Sequence, residues 1–568
     1  MERNNNYFFF SFLYRQNLIL LLFLFFICSI SFGQTIDKKY WIQFADKNGT
    51  PYSVSNPSAF LSPRAIERRT KQNIPVIQND LPLTPAYIAS VLSIDSVFLL
   101  NTSKWFNAIT VNITDTNKLS QIRALPCVAG AVPVNTIKWK NDLENILGDN
   151  TGSFNKTTIN QPTVYNYGSS FNQVNMIDID CMHNQGYDGK SMVIAVLDAG
   201  FDHADVLNVF DSLRTHNQIL GTWDFVTGNA AVYEDFSHGM SVLSAMGGNS
   251  PGQLIGTAPK ASYWLLRTEE VASENIIEED NWVAAAEYAD SVGADIINSS
   301  LGYTTFDNST QNHTYAQMDG NTARITIGAD IAAGKGIFVT NSAGNSGNDA
   351  WHYIDAPADG DSVCSVGAVD ANRNYVSFSS KGPTYDGRIK PNIAAQGSGT
   401  FVTYPSGAVA PANGTSFSSP LIAGAVACLW QANPYATNMQ LLDAIQKSAD
   451  KKNSPDNFTG YGIPNFCIAN ELLSGVSPTK FNDENIFNLF PNPFTDSFQL
   501  SYYADNAQTI TMDFFDVTGR LLLSQQETLK PNSYNIYSVN SLQYLQTGVY
   551  ILKITTPDKK HVVKVVKK

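Results

Sequence analysis

The sequence predicts an α/β protein: a doubly wound parallel sheet, preceded by a small α+β unit and followed by a small all-β sandwich. Three observations carry this expectation. Between residues 165 and 472, short and nearly continuous apolar runs alternate with helix-like stretches. Strands buried on both faces look like this, because helices cover each side of a parallel sheet. Before this region, residues 34–145 interleave a few apolar strands with one helix-like segment. Beyond residue 485 the pattern changes to short strands separated by turns, which close most naturally as an antiparallel sandwich. A chain of 568 residues is also too long for one core. Its 43% hydrophobic and 15% charged composition is that of a globular protein. A net charge of -13 argues against nucleic acid or an anionic membrane as partner.

Residues 1–33 read as a secretory signal. Arg3 and Arg15 precede the apolar run Leu18–Ile30, which ends in Ser31-Phe32-Gly33. The alternative is an uncleaved anchor, although the run is short against the ~20 residues of a span. In the unit 34–145, strands are expected at Ser96–Leu100 and Ala108–Ile113, with a helix near Thr116–Leu125. A polar stretch rich in Asn, Thr and Gly, Asn141–Asn160, marks a linker placed at 146–164. In the large unit, 165–472, strands are expected at Met192–Leu197, Ser262–Arg267, Ile296–Asn298, Gly336–Asn341 and Val363–Val369. Helices are expected at Trp282–Val292 and Ile325–Ala333. Right-handed crossovers then align the strand C-terminal ends along one edge, where ligand sites of open α/β sheets form. A second linker is placed at 473–484. The unit 485–568 carries strands at Phe498–Tyr503, Thr509–Phe515, Leu521–Gln525, Tyr534–Val539, Val549–Thr555 and His561–Lys567.

Of six cysteines, Cys28 leaves with the signal, and Cys127, Cys181, Cys364, Cys428 and Cys467 show no C-x-x-C spacing. A metal site is therefore not expected. Cys364 and Cys428 lie in apolar stretches and read as small buried hydrophobes, with a bridge left open.

Four local patterns carry chemistry. Val196-Leu197-Asp198-Ala199-Gly200 puts a carboxylate at the end of a buried strand. Alone it is as readily a turn aspartate, and the nearby Asp202, His203 and Asp205 read as a solvated loop rather than metal ligands. Ser237-His238-Gly239 opens a helix of small residues running to Gly248, which fixes the histidine backbone near a sheet edge. Asn413-Gly414-Thr415-Ser416-Phe417-Ser418-Ser419-Pro420 leads into the apolar helix Leu421–Trp430. Ser416 then sits at a helix N-terminus, where free N–H groups favour a developing negative charge. The plain reading is an N-capping serine. Pro420 is expected in the first turn, where no N–H is missed. Finally, Thr340–Gly347 ends a strand in a glycine-rich loop bearing Asn345, whose amide can donate to an oxyanion or merely shape a turn.

Together, and in the order Asp, His, Asn, Ser, these patterns resemble the subtilisin-like (S8) serine peptidases across roughly residues 165–472. Lesser signatures agree: Gly256-Thr257-Ala258-Pro259, Asn298-Ser299-Ser300-Leu301-Gly302 and Gly460-Tyr461-Gly462. The resemblance implies a serine endopeptidase with Ser416 as nucleophile, His238 as general base and then acid, and Asp198 orienting His238. It implies an oxyanion hole from Asn345 and the Ser416 N–H, and a substrate-pairing strand at Ser300, Leu301 and Gly302. Two positions depart from the family: Ala199 stands where Ser or Thr is usual, and Met240-Ser241 where Thr-His is usual. Altered packing rather than lost chemistry is expected from both. No cofactor is implied for the chemistry, and structural calcium, common in the family, has no assignable ligand set here.

Residues 34–145 resemble the inhibitory propeptides of these enzymes, notably at Trp105–Val111 and Ile122–Pro126; a permanent N-terminal domain is the alternative. Residues 485–568 resemble the C-terminal sorting domain of the type IX secretion system of Bacteroidota. The matching pieces are Leu489-Phe490-Pro491-Asn492-Pro493, Asp516-Val517-Thr518-Gly519-Arg520, Gly548-Val549-Tyr550 and the basic end Lys564–Lys568. A generic carbohydrate- or protein-binding sandwich is the alternative. The expected partners are protein or peptide substrates, the chain's own propeptide and the type IX machinery, for a monomer secreted or placed at the cell surface via the periplasm. Against this stands a protein of another class, a catalytically silent surface-binding protein on the same fold. A lipase or esterase lacks support, since no G-x-S-x-G elbow surrounds Ser416.

Overall fold

The computed structural model describes residues 38–134, 163–473 apart from 235, and 487–568 apart from short breaks at 491–492, 495, 505–507, 530–532, 541 and 558–559. The signal and both linkers fall largely outside the described residues.

The first unit is a four-stranded antiparallel sheet of β1 (Lys38–Phe44), β2 (Val97–Ser103), β3 (Ala108–Ile113) and β4 (Val128–Pro133), in the order β2-β3-β1-β4. Both expected strands are present. The expected helix is a 3-10 turn at Thr116–Lys118 followed by Leu119–Arg123. A further helix, α1 (Pro63–Lys71), starts on Ser62, whose side chain accepts from the Ala65 N–H.

In the second unit a short helical turn at Phe171–Asn175 precedes the short helix α2 (Ile179–Asn184) and strand β5 (Val193–Asp198). Then come β6 (Ile219–Asp224), α3 (His238–Gly247), the small pair β7 (Asn249–Ser250) and β8 (Leu254–Ile255), β9 (Ser262–Arg267) and α4 (Ile277–Val292). β10 (Ile296–Ser299), α5 (Arg324–Gly334), β11 (Phe338–Ser342), β12 (Cys364–Val369) and β13 (Ile393–Gln396) follow. A hairpin of β14 (Ser398–Thr403) and β15 (Val409–Asn413) leads into α6 (Thr415–Ala432), and α7 (Phe466–Leu473) closes the unit.

Seven strands form one parallel sheet in the order β13-β12-β11-β10-β5-β9-β6. Along β5, Val193, Ala195 and Leu197 join the apolar cluster of α4 and α5, whereas Ile194 and Val196 join that of α3 and α6. This two-residue alternation puts a helical layer on each face, the doubly wound arrangement expected from the unbroken apolar runs. Two of the sheet's strands are not signalled by such runs. In β6, Gly221 interrupts the pattern, and a Cβ there would lie 2.2 Å from the Trp264 ring. β13 has four residues, two of them alanine.

A disulfide joins Cys181 of α2 to Cys467 of α7, tying together segments 286 residues apart. Cys364 and Cys428 are free and buried, so the bridge left open for them does not form. No described helix is long and apolar enough to cross a membrane.

The third unit is all-β. β16 (Phe487–Phe490), β17 (Phe498–Ala504) and β20 (Ser533–Val539) make one antiparallel sheet. β18 (Gln508–Asp516), β19 (Leu521–Leu529), β21 (Gly548–Thr555) and β22 (Lys560–Lys567) make a second, ordered β19-β18-β21-β22. Phe494, Phe498, Phe514, Leu552 and Val565 belong to one apolar core shared by the two. Asp516 Oδ1 accepts from the N–H groups of Thr518 and Arg520, which forms the turn between β18 and β19 with Gly519 at φ +84°.

Candidate active site

The parallel register brings chemistry to one edge. Leu197, Ser299 and Asn341 are paired neighbours near the C-terminal ends of β5, β10 and β11. Asp198, Ser300 and the loop bearing Asn345 therefore leave the sheet side by side. His238 starts α3 immediately above, and Gly239 permits the approach: a Cβ there would lie 2.6 Å from the Gly200 carbonyl oxygen and 2.8 Å from Asp198 Cβ.

His238 Nδ1 is hydrogen-bonded to Asp198 Oδ1 at 2.8 Å, and both side chains are buried. The same oxygen accepts from the Ala199 N–H at 2.8 Å, while Asp198 Oδ2 has no partner among the described residues. Burial pulls the imidazole pKa down, but the Asp198 carboxylate, by charge and hydrogen bond, outweighs it with help from the Glu269 charge. The His238 pKa is accordingly raised above its ordinary value.

Ser416 is the second residue of α6, where a helix has no carbonyl one turn back to take its N–H groups; the neighbouring Thr415 and Phe417 N–H groups are taken by Asn345 Oδ1 and the Gly414 carbonyl. Its Oγ donates to the Ser300 carbonyl at 3.3 Å, and no hydrogen bond joins it to His238. The two elements meet instead through the His238 and Phe417 rings, whose centroids are 5.7 Å apart. Asn345 is exposed, and its Oδ1 accepts from the Thr415 N–H and hydroxyl, both at 2.9 Å. That contact turns Nδ2 outward, free to donate. Ser300, Leu301 and Gly302 continue directly from β10, and Gly302 is exposed, with no backbone hydrogen bond of its own.

The position of Pro420 differs from the sequence expectation. α6 begins at Thr415, so the proline lies inside the helix rather than in its first turn. A residue there would normally donate to the Ser416 carbonyl, four positions back. The Ser300 hydroxyl replaces that donor at 2.9 Å. Ser300 and Ser416 are thus held by two reciprocal bonds, each side chain to the other's backbone.

Comparison with known proteins identifies the family of the middle unit. Residues 189–462 match the peptidase S8 description, the subtilase family. Subtilisin DY of Bacillus licheniformis is 30% identical over 279 residues, covering 48% of this chain and 89% of that protein. The chain belongs to the subtilase family. Thermitase of Thermoactinomyces vulgaris is 31% identical, over 46% of this chain and 83% of its own length. Subtilisin E of Bacillus subtilis is 31% identical over 49% of this chain, and the match spans 65% of that relative's length. Residues 39–148 match the peptidase S8 propeptide domain of Bacteroidota, and 488–568 the secretion system C-terminal sorting domain. The subtilase domain is therefore accompanied by its precursor segment and by a tail that directs export.

The propeptide sits on α4 of this subtilase. Glu287 Oε1 accepts from the Ser103 hydroxyl and the Trp105 N–H, and Oε2 from the Lys104 N–H. One turn on, Asp290 takes Arg68 at 2.6 Å, Arg69 at 2.8 Å and Lys104 at 3.2 Å, all out of water. Burial alone raises the Asp290 carboxyl, yet the charges of Lys104, Arg68 and Arg69 bring it down to about 2. Asp80 of the propeptide pairs with Arg69 and with Lys335, the latter just beyond α5. A cavity of about 450 Å³ along this seam, lined by Arg64, Lys71, Lys190 and Met192 among others, lies at the opposite end of the strands from the subtilase edge.

Two carboxylates beside the edge are not signalled by any motif. Glu269, two residues past the end of β9, accepts from Tyr303 and from the Thr268 hydroxyl; burial raises its pKa to about 7, with the Asp198 charge adding. Asp355 lies beneath Gly302 and Gly344, and its Oδ1 has no hydrogen-bond partner. Of the family departures, Met240 is core and Ser241 donates to the Thr403 carbonyl, a packing role.

Proposed function

We propose that this subtilase is a secreted serine endopeptidase, made as a precursor and working through an acyl-enzyme. The observation that carries the reading is the buried Asp198–His238 bond, set at the same sheet edge as a helix-start serine and an outward-facing asparagine amide. The peptide adds as a strand to Ser300, Leu301 and Gly302, using the unpaired Gly302 backbone. Ser416 Oγ turns from the Ser300 carbonyl toward His238 Nε2, gives up its proton and attacks the scissile carbonyl. Asp198 keeps Nδ1 protonated and stabilises the imidazolium. Asn345 Nδ2 and the Ser416 N–H hold the developing oxyanion, a contribution of ~3–4 kcal/mol per donor. His238 protonates the leaving amine, and water then repeats the sequence to release the acyl group.

The steps run through protein groups alone, so we assign no cofactor to the chemistry and leave structural calcium without a ligand set. All the groups come from one chain, which fits a monomer. The proposed route is export into the periplasm, passage through the type IX machinery, and release or attachment at the cell surface. Propeptide removal by the enzyme itself completes maturation. Ser416→Ala tests the reading: peptide hydrolysis is expected to vanish and the precursor to stay intact. Residual activity equal to wild type would reject the nucleophile, and cleaved precursor from pure mutant protein would reject self-processing.

A further inference from the structure

Of the two buried carboxylates beside the active edge that the steps above leave unused, Glu269 is held by Tyr303 and Thr268, whereas Asp355 has a bare oxygen. Asp355 is 7% exposed, no cation among the described residues pairs with it, and Oδ1 is unpartnered. A buried carboxylate without a counter-ion costs several kcal/mol unless it loses its charge. Such groups persist mainly where function requires them.

The placement says which function. The segment holding Asp355 is wedged between the substrate-pairing strand and the asparagine loop: its N–H donates to the Ala343 carbonyl at 3.3 Å, and Tyr303 and Ala356 are bridged. The two residues facing the carboxylate are both glycine. A Cβ at Gly302 would lie 3.0 Å from Asp355 Oδ2, and one at Gly344 only 2.1 Å away. Any side chain at either position would cover the carboxylate. With glycine at both, it faces the gap between them. A peptide paired with Ser300–Gly302, its scissile carbonyl held by Asn345 and Ser416, straddles that gap with the residue just before the cut.

We propose that Asp355 is the floor of the pocket for that residue and selects a lysine or arginine side chain there. This rests on the peptidase reading and deepens it. Only a long cationic side chain reaches the floor from the peptide backbone and supplies the missing counter-ion. Burial raises the empty-pocket carboxyl to about 8 against the lowering effect of a Trp351 hydrogen bond, with the charges of Asp349 and Asp359 adding, and an arriving cation pulls it back down.

The test uses processed wild-type protein and fluorogenic peptides that differ only in the residue before the cut. Arginine and lysine substrates are expected to exceed leucine and phenylalanine ones in kcat/KM by at least ~100-fold, and Asp355→Asn to collapse that ratio to within about threefold of unity. A wild-type ratio near one, or one that survives Asp355→Asn, overturns the proposal while hydrolysis itself leaves the peptidase reading intact. If no peptide is cut, that reading fails, and the pocket is read without chemistry from the Tm shift given by acetyl-Ala-Ala-Arg-amide against acetyl-Ala-Ala-Leu-amide. A larger shift with arginine upholds the pocket; equal shifts overturn it.

Discussion

At the scale of single residues, the two oxygens of Asp198 are unequally served. Oδ1 has two donors, while the buried Oδ2 has none, next to an alanine where the family usually carries a hydroxyl. Ala199→Ser is expected to supply a donor and add about 1 kcal/mol of stability, read as a higher Tm. The raised His238 pKa has a signed consequence. As the proposed base, His238 works only when neutral, so the acid limb of kcat/KM against pH should have its midpoint above the ordinary histidine value of ~6.5. The stabilisation that goes with the shift runs the other way: it is complete below that value and fades as pH rises through the folded pKa. Ser300→Ala leaves the Ser416 carbonyl, already deprived of a partner by Pro420, without its hydroxyl donor. A loss of ~1–3 kcal/mol is expected in thermal unfolding. The motifs of the proposed triad were legible because each packs its group and the backbone that aims it into a few neighbouring residues. Asp355 and Glu269 were not, since each acquires meaning only from segments far away in the chain: Gly302 and Gly344 for one, Asp198 and Tyr303 for the other.

At the scale of elements, β5, β9, β10, β11 and β12 were readable because burial on both faces leaves unbroken apolar runs. β6 escaped because the glycine that accommodates Trp264 breaks the run, and β13 because four residues carry too little periodicity. The docking of α1 on α4 was equally unreadable, since its arginines look like an exposed charged helix until Asp290 is placed opposite them. Asp290→Ala strands Arg68 without its anion and leaves Arg69 only Asp80, and should cost the precursor ~3–5 kcal/mol. The measurement is thermal unfolding of the Ser416→Ala precursor, where the loss should persist from neutral pH down to about pH 4. Below that, the wild-type advantage itself disappears as pH falls toward 2, because the Asp290 pKa is depressed. The Cys181–Cys467 bond pins α7, the last helix before the tail. Cys467→Ser is expected to lower stability by ~2–4 kcal/mol without changing the active edge.

At the scale of the whole molecule, the chain couples a parallel-sheet enzyme to two segments that serve its history rather than its chemistry. Parallel sheets pair distant strands and fold slowly, which gives a docked four-stranded propeptide a physical role as template and plug. The tail carries its own apolar core, so removing residues 485–568 should leave the enzyme folded yet hold it in the periplasm. Unchanged export of the truncated chain would assign the tail another role. The central claim is that Ser416 is an activated nucleophile. It is tested most directly by treating the processed protein with a fluorophosphonate and locating the adduct by mass spectrometry. A single stoichiometric adduct on Ser416, absent when His238 is replaced by alanine, is the predicted result; a folded, processed protein that takes up no label would contradict the account.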